Sequence, residues 1–92
     1  MIGISAQVSL YPLGQGELAP AIQAVIDTLD DHGLDYTVGS MSTILWGDDA
    51  AVFAALREAF ERATNYGATV MNITISNACP MPPRPRESEK EG

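Results

Sequence analysis

A switch between two hydrophobic periods constrains the fold of this chain more than any other feature. From Ile2 to Tyr11, apolar side chains alternate with polar or small ones, which is typical of a β-strand with one buried face. From Leu18 to Leu29, apolar residues recur at steps of about three and four, the spacing of an α-helix. Pro20 is tolerated only in a first turn, which predicts a helix start near Glu17 or Leu18. Gly33 is typical of the position just after a helix and predicts where this helix ends.

The second half of the chain repeats strand and helix patterns in a different order. Residues 34–39 and 41–47 are rich in β-branched and aromatic side chains, with Gly39-Ser40 between them, and predict a hairpin. Asp48-Asp49 predicts the N-terminal cap of a second helix. Its predicted apolar stripe consists of Val52, Phe53, Leu56, Ala59, Phe60 and Ala63. The alternation from residue 70 to residue 77 predicts a last strand.

The resulting order, β-α-β-β-α-β, predicts an α+β fold of the ferredoxin-like type. In that fold both helices cover one face of a four-stranded antiparallel sheet. Right-handed crossovers place the first and third strands at the centre. We expect this domain to span residues 1–80. Residues 81–92 combine three prolines with mixed charges and predict a disordered tail.

The charge distribution limits the partners that this domain can bind. The chain has 92 residues and a net charge of −7, and within residues 1–80 the only fixed positive charges are Arg57 and Arg62. Such a domain cannot neutralise a nucleic-acid backbone, and it favours neutral or cationic ligands over phosphorylated ones. No apolar run is long enough to predict a membrane helix. With one cysteine, no internal disulfide can form, and we expect a cytoplasmic protein.

The residues that could carry catalysis do not form a recognisable constellation. His32 stands at a predicted helix end, where capping or solvation explains it. Cys79 has no nearby basic residue to activate it and no second cysteine to share a metal. Gly14-Gln15-Gly16 lacks the lysine of a phosphate loop. We therefore expect a protein that is not an enzyme and that uses no metal or cofactor.

The sheet face that the helices leave uncovered has an unusual composition. Its predicted side chains on the first and last strands hydrogen-bond without carrying charge: Ser5, Gln7, Ser9, Tyr11, Asn72, Thr74 and Ser76. Burying such groups costs little when each finds a partner. Two interpretations remain open, a subunit interface and a small-molecule site.

Three segments together resemble the YkoF-like family that binds thiamine and hydroxymethylpyrimidine. They are Ser9-Leu10-Tyr11-Pro12, the run from Ser42 to Gly47, and Val70 to Thr74 with Cys79-Pro80. The resemblance implies a ferredoxin-like fold, oligomerisation through the sheet, and binding of the thiamine aminopyrimidine without turnover. Thiamine would then be a ligand and not a cofactor. The family's pocket positions match Ser9, Tyr11, Ser42, Thr43 and Asn72.

Further candidate ligand-binding residues come from the chain's own pattern. Gln7 and Thr74, which share the predicted face with Ser76, are two of them, and Trp46 or Tyr11 could stack on a ring. The third strand has two possible orientations, and we call the choice between them its parity. Either Met41, Thr43 and Leu45 or Ser42, Ile44 and Trp46 face the helices, and the sequence leaves this choice open.

The leading hypothesis is therefore a protein that binds thiamine or hydroxymethylpyrimidine in vitamin salvage, transport or handling, as a homodimer or homotetramer. The alternative is an oligomeric structural module whose polar sheet face has no small-molecule ligand. A hydrolase or isomerase is a further rival, which would require turnover.

Overall fold

The computed structural model describes residues 2–14, 16, 18–39 and 42–78, which form one sheet with two covering helices. The predicted tail and Cys79 lie outside this range. The elements, in order, are β1 (Gly3–Pro12), α1 (Ala19–Asp31), β2 (Asp35–Val38), β3 (Thr43–Asp48), α2 (Asp49–Ala63), a short 3-10 turn (Thr64–Tyr66) and β4 (Thr69–Ser76). The predicted order β-α-β-β-α-β is confirmed.

The sheet has the strand order β2-β3-β1-β4, and every pairing of neighbours is antiparallel. The first and third strands are therefore central, as a pair of right-handed crossovers requires. This topology is the ferredoxin-like fold predicted from the sequence.

The core lies between the two helices and one face of the sheet. Every second residue of β1 points into it, and Ile4, Ala6 and Val8 are buried. Fully buried Leu45 faces the same side from β3, because Leu45 lies directly opposite Ala6. Small side chains dominate the second part of the core, which consists of Ala21, Val25, Ala59 and Ala63.

The helix ends follow the predicted signals. The side chain of Asp48 accepts a hydrogen bond from the backbone N–H of Ala51 at 2.8 Å, so the predicted cap of α2 is confirmed. Pro20 lies in the first turn of α1, and Leu18 occupies the cap position without a side-chain bond. Gly33 has a φ of +68°, a left-handed conformation that favours glycine after a helix.

The predicted apolar stripe of α2 was wrong at two positions. Phe53 and Phe60 are 55% and 40% exposed, whereas Ala55, which the stripe omitted, is fully buried. The helix approaches the sheet through its alanines, so the bulky phenylalanines are displaced to one flank of the helix. Only the packed structure distinguishes the centre of such a stripe from its border.

An ionic network connects the two helices on their outer side. The Nε2 atom of His32, just past α1, lies 2.8 Å from a carboxylate oxygen of Glu58 on α2. Arg62 contacts Glu58 and also reaches Asp31, 3.0 Å away. These bonds lower the pKa of the Glu58 carboxyl below its ordinary value, and the hydrogen bond with His32 has the largest effect.

No helix within the described ranges is long and apolar enough to cross a membrane. The cytoplasmic location stays a prediction.

The parity of β3 can be tested with two neighbouring residues. Leu45→Ala should lower the free energy of unfolding by about 2–5 kcal/mol, because it leaves a cavity in a fully buried site. Ile44→Ala, on the other side of the same strand and 37% exposed, should cost about 1 kcal/mol or less. Urea unfolding followed by circular dichroism measures both. An equal or larger loss for Ile44→Ala would contradict the observed parity.

The Glu58 network should make stability depend on acid pH. A lowered pKa in the folded state means that Glu58 stabilises the fold above its unfolded value of about 4.5. That contribution is lost as the pH falls through the folded-state pKa. Glu58→Gln should therefore lower the urea midpoint at pH 6 and lower it less at pH 3.

A matched control is Glu61→Gln on the same helix, whose carboxylate pairs with the highly exposed Arg57 at 3.4 Å. It should shift the midpoint less than Glu58→Gln at pH 6, because exposed ion pairs contribute little. An identical shift in the two variants would argue against a structural role of the His32 bond.

Candidate functional site

The register of β3 against β1 shows which of its side chains leave the core. Gln7 lies opposite Ile44, and Ser5 lies opposite Trp46. Directly opposed residues of an antiparallel pair share a face. Ile44 and Trp46 therefore lie on the side of the sheet that the helices do not cover, while Thr43, opposite Val8, faces the helices.

We define this uncovered side as the open face. It combines hydroxyl, amide and aromatic groups from all four strands. Its members are Ser5, Gln7, Ser9 and Tyr11 of β1; Asp35 and Thr37 of β2; Ser42, Ile44 and Trp46 in and beside β3; and Val70, Asn72, Thr74 and Ser76 of β4.

The structure brings seven of the eight predicted ligand-binding residues together on the open face. They are Gln7, Ser9, Tyr11, Ser42, Trp46, Asn72 and Thr74. Gln7 lies between Ile44 and Thr74, and Ser9 lies opposite Asn72. The eighth residue, Thr43, is on the opposite side of the sheet, because it precedes Ile44 by one position in an extended strand.

Some polar side chains of the open face contact one another. The Nε2 group of Gln7 donates to the hydroxyl of Ser42 at 3.2 Å, which also places Ser42 on this face. The hydroxyl of Ser5 reaches the carbonyl of Ser76 at 3.5 Å. Asn72 and Thr74 are exposed. Residues two positions apart on one strand share a face and lie about 7 Å from each other. The amides and hydroxyls of this face are therefore close enough together to match the edge of a heteroaromatic ring.

One end of the open face is suited to a positive charge, and the sequence interpretation missed part of it. Asp35 lies directly opposite Trp46, and both side chains are half-buried. A carboxylate attracts a cation through its negative charge, and the π-face of a neighbouring indole adds to that attraction. Only the strand register could reveal this pair, because the parity of the hairpin was not evident from its composition.

The open face also has apolar members. Tyr11 is 47% exposed and Val70, opposite it, is 43% exposed. Together with Ile44 they offer rings or methyl groups a surface for contact. The face is therefore amphipathic, as binding sites for small ring compounds commonly are.

A separate cleft lies on the helix side, between α1 and the end of the β2–β3 hairpin. Its volume is about 140 Å³, and aliphatic side chains of α1 and β1, including Ile22, Val25 and Leu10, form most of its wall. Thr43 and Ser42 line its mouth. Thr43 thus belongs to this cleft and not to the open face.

The described part of the chain contains no group of three or more His, Cys, Asp and Glu side chains that could hold a metal ion. His32 lies at the end of α1 and pairs with Glu58 of α2. It is therefore on the helix side of the sheet, away from the open face.

Solved structures share this architecture at low sequence identity. A hypothetical protein from Methanocaldococcus jannascii aligns with a TM-score of 0.78 and 24% identity, over 99% of this chain and 96% of its own. A protein from Thermotoga maritima, provisionally assigned to thiamine biosynthesis or salvage, aligns with a TM-score of 0.75 and 16% identity over 98% and 99% of the two chains. A protein from Streptococcus pneumoniae aligns with a TM-score of 0.75 and 22% identity, over 99% of this chain and 100% of its own. At these identities the likeness supports the fold alone.

Sequence comparison is more specific. Among curated proteins, none matches this sequence. The family model described as "Thiamine-binding protein" matches residues 6–77. The match begins in β1 and ends just after β4, so it includes both helices and nearly all of the open face. The chain therefore belongs to the thiamine-binding protein family.

Proposed function

We propose that the protein binds thiamine, or its hydroxymethylpyrimidine moiety, on the open face and releases it unchanged, in vitamin salvage, transport or handling. The observation that carries the proposal is the gathering of seven predicted ligand residues on one uncovered face. Membership of the thiamine-binding protein family supports the same ligand class.

The pyrimidine half of thiamine fits the polar part of the open face. Its ring presents two acceptors, and its amino group donates. The side-chain amides of Gln7 and Asn72 and the hydroxyl of Ser9 supply complementary groups. Tyr11, beyond Ser9 on the same strand, offers an aromatic surface for the ring.

The thiazolium half carries a fixed positive charge, and the open face includes an acidic side chain, Asp35 of β2. The chain's net charge of −7 adds a favourable long-range field for the cation and an unfavourable one for a phosphate group. Free thiamine should therefore bind more tightly than its phosphate esters.

The proposal includes no chemical step. The only histidine of the chain lies on the helix side of the sheet, in a pair with Glu58. It is too far from a ligand on the open face to act as a general base, which requires hydrogen-bond reach. The groups on the open face are suited to orienting a ligand, not to activating a nucleophile.

A second candidate function is an interaction module in which the open face binds another copy of the chain. The exposed apolar surface of Tyr11, Ile44 and Val70 favours it. Under this alternative, Gln7→Arg combined with Thr74→Arg would dissociate the protein, and no pyrimidine compound would change its thermal stability.

Calorimetric titration can test the leading proposal. Thiamine and hydroxymethylpyrimidine should release or absorb heat and raise the melting temperature, while thiamine pyrophosphate should bind more weakly because of its negative charge. Trp46 is the only tryptophan of the chain, so its fluorescence should change on titration. The absence of any response to all three compounds at millimolar concentration would refute the proposal, and chromatography of the recovered thiamine would reveal turnover.

Substitutions on opposite sides of the sheet should locate the ligand. Asn72→Ala and Ser9→Ala should each weaken binding by about 1–3 kcal/mol, because each removes a hydrogen bond to the ligand. Thr43→Val is the matched control, since it removes a hydroxyl on the helix side while keeping the side-chain shape. If Thr43→Val weakens thiamine binding and Asn72→Ala does not, the ligand occupies the cleft beside α1.

A further inference from the structure

The fixed positive charges of the described part of the chain are all on the helix side of the sheet. They are Arg57 and Arg62, and both belong to α2. The Nε atom of Arg57 lies 3.4 Å from the carboxylate of Glu61. Arg62 contacts Glu58 and lies 3.0 Å from Asp31. Both guanidinium groups are therefore next to carboxylates of the helices, and neither belongs to the open face.

The open face has a different electrostatic character. Asp35 is its charged member, and the other residues that define it have uncharged hydroxyl, amide, aromatic or aliphatic side chains. Proteins commonly hold phosphate groups with the cationic side chains of arginine and lysine. A phosphate group bound on the open face would meet a carboxylate and, among the described residues of that face, no cation.

Coulomb's law gives the size of the resulting preference. A phosphate monoester carries a charge of about −1.5 to −2 at pH 7, and it would enter the field of a chain whose net charge is −7. Two unit charges about 4 Å apart in water change an equilibrium constant by a factor of about five. A doubly negative group near Asp35 is therefore disfavoured by about tenfold or more at low salt.

Phosphorylation is the reaction that changes the proposed ligands in this respect. Thiamine and hydroxymethylpyrimidine each have a primary hydroxyl group. When that oxygen attacks the γ-phosphorus of a nucleoside triphosphate, the bond from phosphorus to the nucleoside diphosphate breaks and the diphosphate leaves. The hydroxyl proton passes to a base of the transferring enzyme or to water. The product keeps the rings of its precursor and gains a doubly negative group.

Given the proposed function, on which this inference rests, we propose that the reaction consuming the ligand of this protein is a phosphoryl transfer to the ligand's hydroxyl group. A separate enzyme carries out the transfer with a nucleoside triphosphate. This protein holds the vitamin before it is phosphorylated, and phosphorylation lowers the affinity of the ligand for the open face. Release is then not reversed by rebinding, because the product no longer competes for the site that its precursor left.

Other reactions of the same ligands would not separate precursor from product in this way. Cleavage between the two rings of thiamine leaves a neutral pyrimidine, which presents the same ring edge to Gln7, Ser9 and Asn72. Oxidation of the hydroxyl group to an aldehyde likewise adds no charge. The products of both reactions would compete with fresh ligand for the open face.

Equilibrium dialysis of the full chain tests the proposal. Thiamine should be enriched on the protein side of the membrane. A catalytic amount of a thiamine kinase is then added with ATP, and the phosphate ester that forms should bind at least about tenfold more weakly than thiamine. A parallel sample with a non-hydrolysable ATP analogue should keep thiamine on the protein side.

The two possible failures of this experiment are distinguishable. If thiamine itself is not enriched with the protein, the proposed function is refuted and this inference falls with it. If thiamine and its phosphate ester are retained equally, the inference alone is overturned, because phosphorylation would then not release the ligand.

Ionic strength provides an independent check of the cause. The Debye length falls from about 30 Å at 0.01 M salt to about 3 Å at 1 M salt. The preference for thiamine over its phosphate ester should therefore shrink severalfold at high salt. A preference that is the same at both salt concentrations would contradict its electrostatic origin.

A positive charge added to the open face should also weaken the preference. Thr37 of β2 is exposed, lies opposite Ile44 and is not one of the proposed ligand residues. Thr37→Lys should lower the ratio of the dissociation constants of the ester and of thiamine by about fivefold, since lysine attracts phosphate and repels the thiazolium cation.

The matched control is Ala54→Lys, which adds the same charge at an exposed residue of α2 on the helix side. It should leave the ratio within about twofold of the wild-type value, because salt screens a charge at that distance. Equal effects of the two lysines would contradict the assignment of the preference to the open face, and circular dichroism should show that both variants are folded.

Discussion

The structure depends on the position of β1 between β3 and β4. This strand pairs along both of its edges, and alternate side chains form the centre of the core. A shift of one residue in either pairing would move a neighbouring strand's apolar side chains from the core to water. The burial of Ile4, Ala6 and Val8 therefore fixes the registers, and the registers determine which polar side chains meet on the open face.

The alanines of α2 have a comparable influence on the helix side. Ala55, Ala59 and Ala63 are fully buried, which allows the helix to lie close to the sheet and to α1. The same close approach leaves no space beneath the helix for Phe53 and Phe60. Their position on the outer flank is a consequence of this packing.

The two sides of the sheet thus differ in what they can contact. The open face presents hydroxyls, amides and a few aromatic or aliphatic groups, whose burial against a small ring compound costs little when each polar group finds a partner. The helix side of β4 instead presents the partly exposed aliphatic side chains of Ile73 and Ile75.

The sequence by itself determined the element order, the strand topology and the polar character of the open face on β1 and β4. These features depend on local periodicity, on cap residues such as Asp48 and on the handedness of crossovers, all of which can be read along the chain. The tertiary structure alone decided the parity of β3, because Thr43-Ile44-Leu45-Trp46 has no clear alternation and its orientation depends on pairing with a distant strand. It likewise separated Thr43 from the other candidate residues, placed Asp35 beside Trp46, and moved Phe53 and Phe60 out of the core. Each of these outcomes depends on which neighbour occupies the adjacent space, which local sequence does not encode.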